Sequence, residues 1–243
     1  MPTALLLVDI QHDFLPPSGA LAVQGGDTIL AGVYLLLGGH WDLVVASQDY
    51  HPPGHISFCT THARPPFTTA TVTDPRTGAT KEQELWPEHC VQGTLGCELD
   101  EGVARRLDER RAAGHRVEVV RKGADQALDA YSAFDAPLAH APSSPSPLTQ
   151  LLLDAKITTL VVVGLATDYC VRQSALAALR GGGGGGADVP APWQPAAGGE
   201  VLVVRECVRG VVPAREAAVL DELAAAGARV VSAEGDEVRR LLR

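Results

Sequence analysis

Apolar residues in this 243-residue chain recur in short runs, separated by segments whose apolar positions repeat every three to four residues. A short, continuous apolar run is typical of a strand buried on both faces, whereas the three-to-four repeat is typical of a helix with one buried side. The runs predict strands at 4–8, 42–46, 116–120, 157–163, 201–204 and 229–232.

Helical patterns lie between most of these strands. They cover residues 27–37, 99–112, 148–155, 170–179, 213–226 and 237–242. Strands that alternate with helices form βαβ units, and such units build a parallel sheet with helices on both faces. The predicted fold class is therefore α/β, and a chain of this length is expected to form a single domain spanning 1–243.

Two stretches interrupt this alternation. The first, residues 51–97, is long, irregular and rich in Pro, Thr and His, and long ordered loops often carry function. The second, about 181–199, combines a glycine run with a Pro/Ala segment and predicts a flexible surface insertion. No Lys-Ser/Thr follows the glycines, so they do not form a phosphate-binding loop.

Charge and cysteine content narrow the range of partners and compartments. The formal net charge is -9 and no basic cluster stands apart from acidic neighbours, which argues against nucleic acid and anionic membranes as partners. The first apolar run is short and is followed directly by Asp9, so it predicts a strand and not a signal peptide or a membrane span. Five scattered cysteines predict a disulfide-free, cytoplasmic protein.

Polar side chains follow four of the predicted strands. Asp9 follows the first, Asp49 and His51 the second, Lys122 the third and Cys170 the fourth. The carboxyl ends of parallel strands meet at one edge of a sheet, where ligands bind, so these residues are expected to converge. Taken one at a time, each has an ordinary explanation as a cap, a solvated charge or a buried thiol.

Three of these residues form a coherent catalytic set. The carboxylate of Asp9 can take the thiol proton of Cys170, and the ammonium of Lys122 can stabilise the thiolate. Cys170 is placed at the start of a helix, where the helix dipole favours an anion, so a thiolate is expected there. The preceding loop offers the backbone N–H groups of Ala166 and Cys170 as an oxyanion hole.

A second cluster has the residue types of a metal site. Asp49 and His51 are two positions apart, so an extended backbone points both side chains the same way. His89 is the candidate third ligand. Two imidazoles and a carboxylate suit Zn, Fe or Mn, although the spacing matches no zinc-finger pattern.

Five segments resemble the nicotinamidases (pyrazinamidases) of the isochorismatase-like cysteine hydrolases, in that family's order. They are "LLLVDIQHDFLPPSGALAVQGGD", "ASQDYHPPGHISF", "LWPEHCVQGTLGCEL", "KGADQALDAYSAFD" and "VVVGLATDYCVRQSALAAL". The resemblance implies a three-layer α/β/α fold with a mostly parallel, doubly wound sheet of about six strands. It also implies hydrolysis of nicotinamide to nicotinate and ammonia in NAD salvage, with pyrazinamide as a further substrate.

The resemblance assigns roles residue by residue. Asp9 would be the general base, Lys122 its partner, Cys170 the nucleophile that forms a thioester, and Ala166 an oxyanion donor next to a cis Leu165–Ala166 peptide. Asp49, His51 and His89 would hold one divalent metal, most simply Zn, with Fe and Mn as alternatives. The implied substrate-binding residues are Phe14, Trp86, Tyr131 and Leu165, with core packing as the alternative for the aromatic ones.

Several alternatives stay open. Another cysteine hydrolase of the same superfamily, acting on a carbamoyl or ureido group, would keep the triad but would not need the metal. A binding protein that has lost catalysis would keep the fold alone. The sequence does not decide the metal, homo-oligomerisation or a metal contact of His55, and Tyr169 stands where some family members have His.

Overall fold

The structure is a computed structural model that describes residues 1–135, 145–182, 193 and 199–242. The strands of this part of the chain are β1 (Thr3–Val8), β2 (Leu43–Asp49), β3 (Thr69–Thr73), β4 (Thr80–Glu84), β5 (Val117–Lys122), β6 (Thr159–Leu165), β7 (Glu200–Arg209) and β8 (Arg229–Val231). The α-helices are α1 (Leu30–Leu37), α2 (Glu101–Ala112), α3 (Pro147–Asp154), α4 (Arg172–Leu179), α5 (Pro213–Ala225) and α6 (Asp236–Leu241).

Six strands form one sheet in the order β5-β2-β1-β6-β7-β8, and every neighbouring pair is parallel. The chain starts at β1, moves outward through β2 to β5, and then returns to the other side of β1 with β6. The direction of winding therefore reverses between β1 and β6, and ligands of open α/β sheets bind at the carboxyl ends flanking such a reversal. The α/β fold class predicted from the sequence is confirmed.

Side chains of the central strand divide between two apolar layers. Leu5 and Leu7 pack with α1, α2 and α6 on one face, and Leu6 and Val8 pack with α3, α4 and α5 on the other. This alternation follows from the two-residue repeat of a strand, and it explains why a strand covered on both faces is apolar throughout. The three layers hold the carboxyl ends of the strands in fixed positions.

Some strands extend beyond their apolar runs. β2 continues to Asp49 and β7 to Arg209, where the sequence pattern predicted ends at 46 and 204. The added β2 residues, Ser47, Gln48 and Asp49, are polar yet buried. Ser47 bonds Asp9 and Asp49 bonds Lys122 in the site, whereas the Gln48 amide donates to the Cys97 carbonyl. A polar residue ends an apolar run in the sequence even where the strand itself goes on.

The segment 51–97 contains an element that the sequence pattern missed. β3 and β4 form an antiparallel hairpin outside the main sheet, with Thr69 opposite Glu84 and Thr73 opposite Thr80. Most hairpin side chains are exposed and polar, so no apolar run marks either strand. Buried Ala70 lies with Cys59 and Leu85 in a small apolar cluster beneath the hairpin.

The predicted flexible insertion at about 181–199 lies mostly outside the described residues. Within it, Trp193 is buried, and its indole N–H donates to the Ile157 carbonyl at 2.9 Å. All five cysteines are unpaired and buried. Among the helices of the described ranges, none has the length and apolar character needed to cross a membrane.

Gly164 in β6 lies against the backbone of β1 in the centre of the sheet. Its φ is +120°, and a Cβ there would lie 2.1 Å from the Val8 carbonyl oxygen. We expect Gly164→Ala to lower the free energy of unfolding by roughly 3 kcal/mol, because left-handed backbone strain adds to overpacking. Urea denaturation measures this change.

Gly78→Ala is the matched control. Gly78 also has a positive φ, of +71°, but a Cβ there would meet nothing within 4 Å. This variant should lose only the backbone contribution, about 1–2 kcal/mol. If the free energy of unfolding fell equally in the two variants, the clash between the added Cβ and β1 would not destabilise the protein.

Candidate active site

The carboxyl ends of four strands bring together the residues that the sequence singled out. Asp9 follows β1 directly, Asp49 ends β2, Lys122 ends β5, and Cys170 follows β6. In the sheet register Asp49 pairs with Lys122, so these two side chains leave their strands at the same level. Asp9 adopts a φ of 47°, in the left-handed region that non-glycine residues seldom occupy, as the chain leaves β1.

The ammonium of Lys122 lies at the centre of the site. Its Nζ is 2.9 Å from Asp9 Oδ2 and 3.4 Å from Cys170 Sγ, and it also donates a hydrogen bond to Asp49 Oδ1. Lys122 and Asp9 are fully buried, and Asp49 and Cys170 are nearly so. One buried cation therefore contacts the candidate base, the candidate nucleophile and a candidate metal ligand.

The two carboxylate oxygens of Asp9 have different neighbours. Oδ1 accepts a hydrogen bond from the Ser47 hydroxyl at 2.6 Å. Oδ2 faces Lys122 but receives no well-aligned hydrogen bond. A carboxylate oxygen of Asp9 lies within 4.8 Å of Cys170 Sγ. Ser47 thus occupies one oxygen and leaves the other available to accept a proton.

Protonation states at the site differ from the expectation of a preformed thiolate. Burial raises the pKa of the Cys170 thiol well above its ordinary value, although the Lys122 ammonium opposes this change. Burial also raises the pKa of Asp9, again against the influence of Lys122. The neutral thiol is therefore the favoured form, and the carboxylate beside it is a stronger base than an exposed Asp.

The local backbone at Cys170 also differs from the expectation. The sequence predicted the residue at the first turn of an α-helix, but residues Thr167–Val171 form a wider π-helical turn and α4 begins only at Arg172. The nucleophile therefore lies two residues before the first residue of α4.

Asp49, His51 and His89 form a cluster of metal-ligand type. The Nε2 atoms of the histidines lie 3.7 Å and 3.9 Å from Asp49 Oδ2. Each Nδ1 lies within hydrogen-bond distance of a carbonyl oxygen, at 2.9 Å from Gly123 for His51 and 2.7 Å from Pro87 for His89. A Nδ1–H that donates to a carbonyl leaves the Nε2 lone pair free, which is the arrangement of a metal-binding imidazole.

The protonation states of His89 and Asp49 favour the same use, whereas for His51 burial does not offset the Asp49 carboxylate, which raises the pKa of that imidazole. Burial and the neighbouring His51 lower the pKa of His89 to about 4, so its imidazole is neutral at physiological pH. Burial alone would raise the pKa of Asp49, but the Lys122 ammonium and His51 hold it well below its ordinary value. A neutral imidazole and an ionised carboxylate are the forms that bind a divalent cation.

His55 lies beside this cluster with both of its nitrogens occupied. Its ring stacks on His51 at a centroid distance of 4.1 Å. Nδ1 is 2.8 Å from the Ser57 hydroxyl and Nε2 is 3.1 Å from the Leu128 carbonyl oxygen. Because Nε2 must donate to that carbonyl, Nδ1 is left as the acceptor, and His55 packs against a candidate ligand without offering a free lone pair.

Gly123 gives His51 the space it occupies. The glycine has a φ of +62°, and a Cβ there would lie 2.3 Å from His51 Cε1. It directly follows Lys122, so the same turn presents the ammonium on one side and receives the imidazole on the other.

A pocket of about 420 Å³, its open mouth included, leads to Cys170 and the histidines. Phe14, Trp86 and Tyr131 line it, as the resemblance implies, and so do Ala166 and Tyr169. The Leu165–Ala166 peptide is cis, as expected.

Leu165 is placed differently from the expectation. Its side chain is fully buried in the apolar layer that contains α1 and α2, and it is not among the residues lining the pocket. The assignment of Leu165 to substrate binding is corrected for this reason, since the strand directs its side chain into the core while the next residue reaches the pocket.

Sequence reasoning did not single out Gln11. This buried amide donates to the Asp49 carbonyl at 2.8 Å and to the Cys97 carbonyl at 2.7 Å, and accepts from the Asp49 N–H at 2.9 Å. It therefore fixes the backbone of Asp49 from the end of β1. The sequence offered no distinctive signal for it, because Gln11 stands among other polar residues, Asp9, His12 and Asp13.

Comparison with known proteins places this geometry in a family. The isochorismatase domain family matches residues 3–235. This chain belongs to that family. It is 35% identical over 234 residues to a nicotinamidase of Escherichia coli (strain K12), and the match covers 93% of each chain.

Solved structures agree with the fold. The yeast nicotinamidase bound to the inhibitor nicotinaldehyde is 27% identical, with a TM-score of 0.78 over 95% of this chain and 99% of that one. The pyrazinamidase of Pyrococcus horikoshii, in complex with zinc, is 28% identical, with a TM-score of 0.65 over 96% of this chain and 99% of that one.

His51→Ala should weaken binding of a divalent metal by at least ~100-fold, because even changes outside the ligand shell cost about 10–100-fold. The nucleophile side should stay intact, since Lys122 and Asp9 contact Cys170 without His51. Competition with a metal-sensitive dye measures the first effect, and the alkylation rate of Cys170 measures the second.

His55→Ala is the matched control, because it removes a neighbouring imidazole whose nitrogens are already engaged. Its metal affinity should fall by no more than about tenfold, the lower end of the ~10–100-fold that changes outside the ligand shell cost. Loss of Cys170 alkylation in a folded His51→Ala protein would contradict the separation of the two clusters.

Proposed function

We propose that this protein is a nicotinamidase, which hydrolyses nicotinamide to nicotinate and ammonia in NAD salvage in the cytoplasm. The observation that carries this proposal is the pocket in which Cys170, 3.4 Å from Lys122 Nζ, lies beside the Asp49–His51–His89 cluster under aromatic walls. A nucleophile next to a ligand set for a ring nitrogen fits an amide carried on a pyridine ring.

In the first half-reaction, Cys170 Sγ attacks the amide carbonyl carbon while Asp9 takes the thiol proton. Lys122 stabilises the sulfur as its negative charge develops, and the backbone N–H groups of Ala166 and Cys170 stabilise the carbonyl oxygen. Asp9 then gives the proton to the departing nitrogen. The carbon–nitrogen bond breaks, ammonia leaves, and nicotinate is held on Cys170 as a thioester.

In the second half-reaction, Asp9 takes a proton from a water molecule that attacks the thioester carbonyl. The carbon–sulfur bond breaks, the proton on Asp9 returns to Cys170, and the product acid leaves as nicotinate after losing its remaining proton to solvent. The raised pKa of Asp9 suits this double use, because a base works best when its pKa approaches the operating pH.

Asp49, His51 and His89 would hold one divalent metal. We propose zinc, the metal of the Pyrococcus horikoshii complex, and the same donors also suit Fe or Mn. When bound, the metal supplies a coordination position for the ring nitrogen or for a water bridging to it. Phe14, Trp86 and Tyr131 would enclose the ring, and pyrazinamide, with a similar six-membered ring, would fit the same walls.

A hydrolase acting on a carbamoyl or ureido group is the nearest alternative. Such a substrate has no ring nitrogen, so it gives no role to the Asp49–His51–His89 cluster. A non-catalytic binding protein gives no role to the buried ammonium beside Cys170. Each alternative therefore leaves one of the two parts of the site, the metal-ligand cluster or the nucleophile with its buried ammonium, unexplained.

Purified, zinc-loaded protein should release ammonia and nicotinate from nicotinamide in equal amounts, and Cys170→Ala should release neither. Because the metal ligands and the ring walls remain, nicotinamide should still bind Cys170→Ala, which calorimetry measures. Turnover by Cys170→Ala near the wild-type rate would remove Cys170 from the mechanism, and an inactive wild type loaded with Zn, Fe or Mn would reject the proposed function.

Asp9→Asn should lower kcat by at least ~100-fold, the scale of a positioned acid–base group. The amide keeps the size of the side chain and still accepts from Ser47, but it cannot take the thiol proton. Alkylation of Cys170 should slow in the same variant, while the metal content stays at the wild-type level. If kcat remained within a few-fold of wild type, a different residue would be the base.

A further inference from the structure

A hydrogen bond ties the pocket to the hairpin outside the sheet. The hydroxyl of Tyr169, the residue before Cys170, lies 3.1 Å and 3.2 Å from the two carboxylate oxygens of Glu84. Glu84 is the last residue of β4. A phenol that donates to a carboxylate forms a charge-assisted bond, which is stronger than a bond between neutral groups.

The Tyr169 ring is one of three aromatic rings that form a continuous pocket wall. It meets Trp86 at a centroid distance of 4.9 Å and an angle of 87°, and Tyr131 at 5.8 Å. The Trp86 indole N–H donates to the Tyr131 hydroxyl at 3.1 Å. Two separate hydrogen bonds therefore hold this wall, one between Trp86 and Tyr131 and one between Tyr169 and Glu84.

Burial and the Glu84 carboxylate raise the pKa of Tyr169 to about 12. The hydroxyl stays protonated at physiological pH and can donate throughout that range. The acceptor, Glu84, ends β4 only two residues before Trp86. The end of the hairpin therefore supplies both one aromatic ring of the wall and the carboxylate that holds the neighbouring Tyr169 ring.

We propose that the Tyr169–Glu84 pair sets the upper size limit of the ring that the pocket accepts. The hydrogen bond holds the Tyr169 ring, which is next to the nucleophile in sequence, against Trp86. This part of the wall therefore cannot move aside for a larger substrate. Without the bond, the Tyr169 side chain is free to change rotamer and widen the pocket toward the hairpin. This inference rests on the proposed function, because it concerns which ring amides reach Cys170.

The kinetic test compares nicotinamide with quinoline-3-carboxamide, which carries a second fused ring. Tyr169→Phe and Glu84→Ala both remove the hydrogen bond, and each should lower the ratio of kcat/KM for nicotinamide to that for the bicyclic amide by about tenfold. Size discrimination by a pocket wall is commonly of this order, about 10–200-fold per methylene. The double variant should change the ratio no further than either single variant, since both remove one interaction.

Two variants serve as controls. Glu84→Gln keeps an oxygen that accepts from the phenol, so it should restore most of the wild-type ratio. Glu82→Ala removes an exposed carboxylate from the same strand, where its partner is the Thr71 hydroxyl, and should leave the ratio unchanged. A loss of selectivity in Glu82→Ala equal to that in Glu84→Ala would mean that the hairpin as a whole, and not this pair, matters.

A second measurement does not depend on amide hydrolysis. Alkylation of Cys170 by iodoacetamide and by N-(1-naphthyl)iodoacetamide, read by peptide mass spectrometry, compares a small reagent with a large one. Tyr169→Phe and Glu84→Ala should favour the large reagent by about tenfold relative to wild type. Wild-type protein that fails to hydrolyse nicotinamide rejects the proposed function alone, whereas unchanged alkylation and substrate ratios in both variants reject the size limit.

Discussion

The rest of the site depends on the burial of one ammonium group. Moving the Lys122 charge out of water costs several kcal/mol unless oppositely charged groups surround it. Asp9 and Asp49 supply those charges, from the ends of β1 and β2, while Lys122 itself ends β5. Three strands must therefore end at the same level, and the parallel register of the sheet provides that level.

The carboxylate of Asp49 links the two halves of the site. Its Oδ1 accepts from Lys122 and its Oδ2 faces the two histidines. Gln11 holds the backbone of the same residue through both its N–H and its carbonyl. A bound cation and the buried ammonium therefore compete for the charge of one side chain, which links the nucleophile to the metal cluster through Lys122.

The sequence predicted the sheet and the converging residues because both are local or periodic features. Apolar runs locate strands, and polar residues after them locate the carboxyl ends. The hairpin was missed because its side chains are exposed, and Leu165 was misplaced because strand alternation turns it into the core. The thiol state of Cys170 depends on how completely the surrounding residues exclude water, and the Glu84–Tyr169 contact joins residues 85 positions apart, so neither leaves a local pattern.

The central strand also determines when the site can form during synthesis. β1 has β2 on one side and β6 on the other, and Thr3 pairs with Thr159. A ribosome adds about 5–20 residues per second, so the edge of β1 that pairs with β6 stays unpaired for several seconds until β6 emerges. Asp9, Asp49 and Lys122 all leave the ribosome during that interval, and the nucleophile arrives last. Cys170 is therefore synthesised after all three of the charged residues that lie around its sulfur.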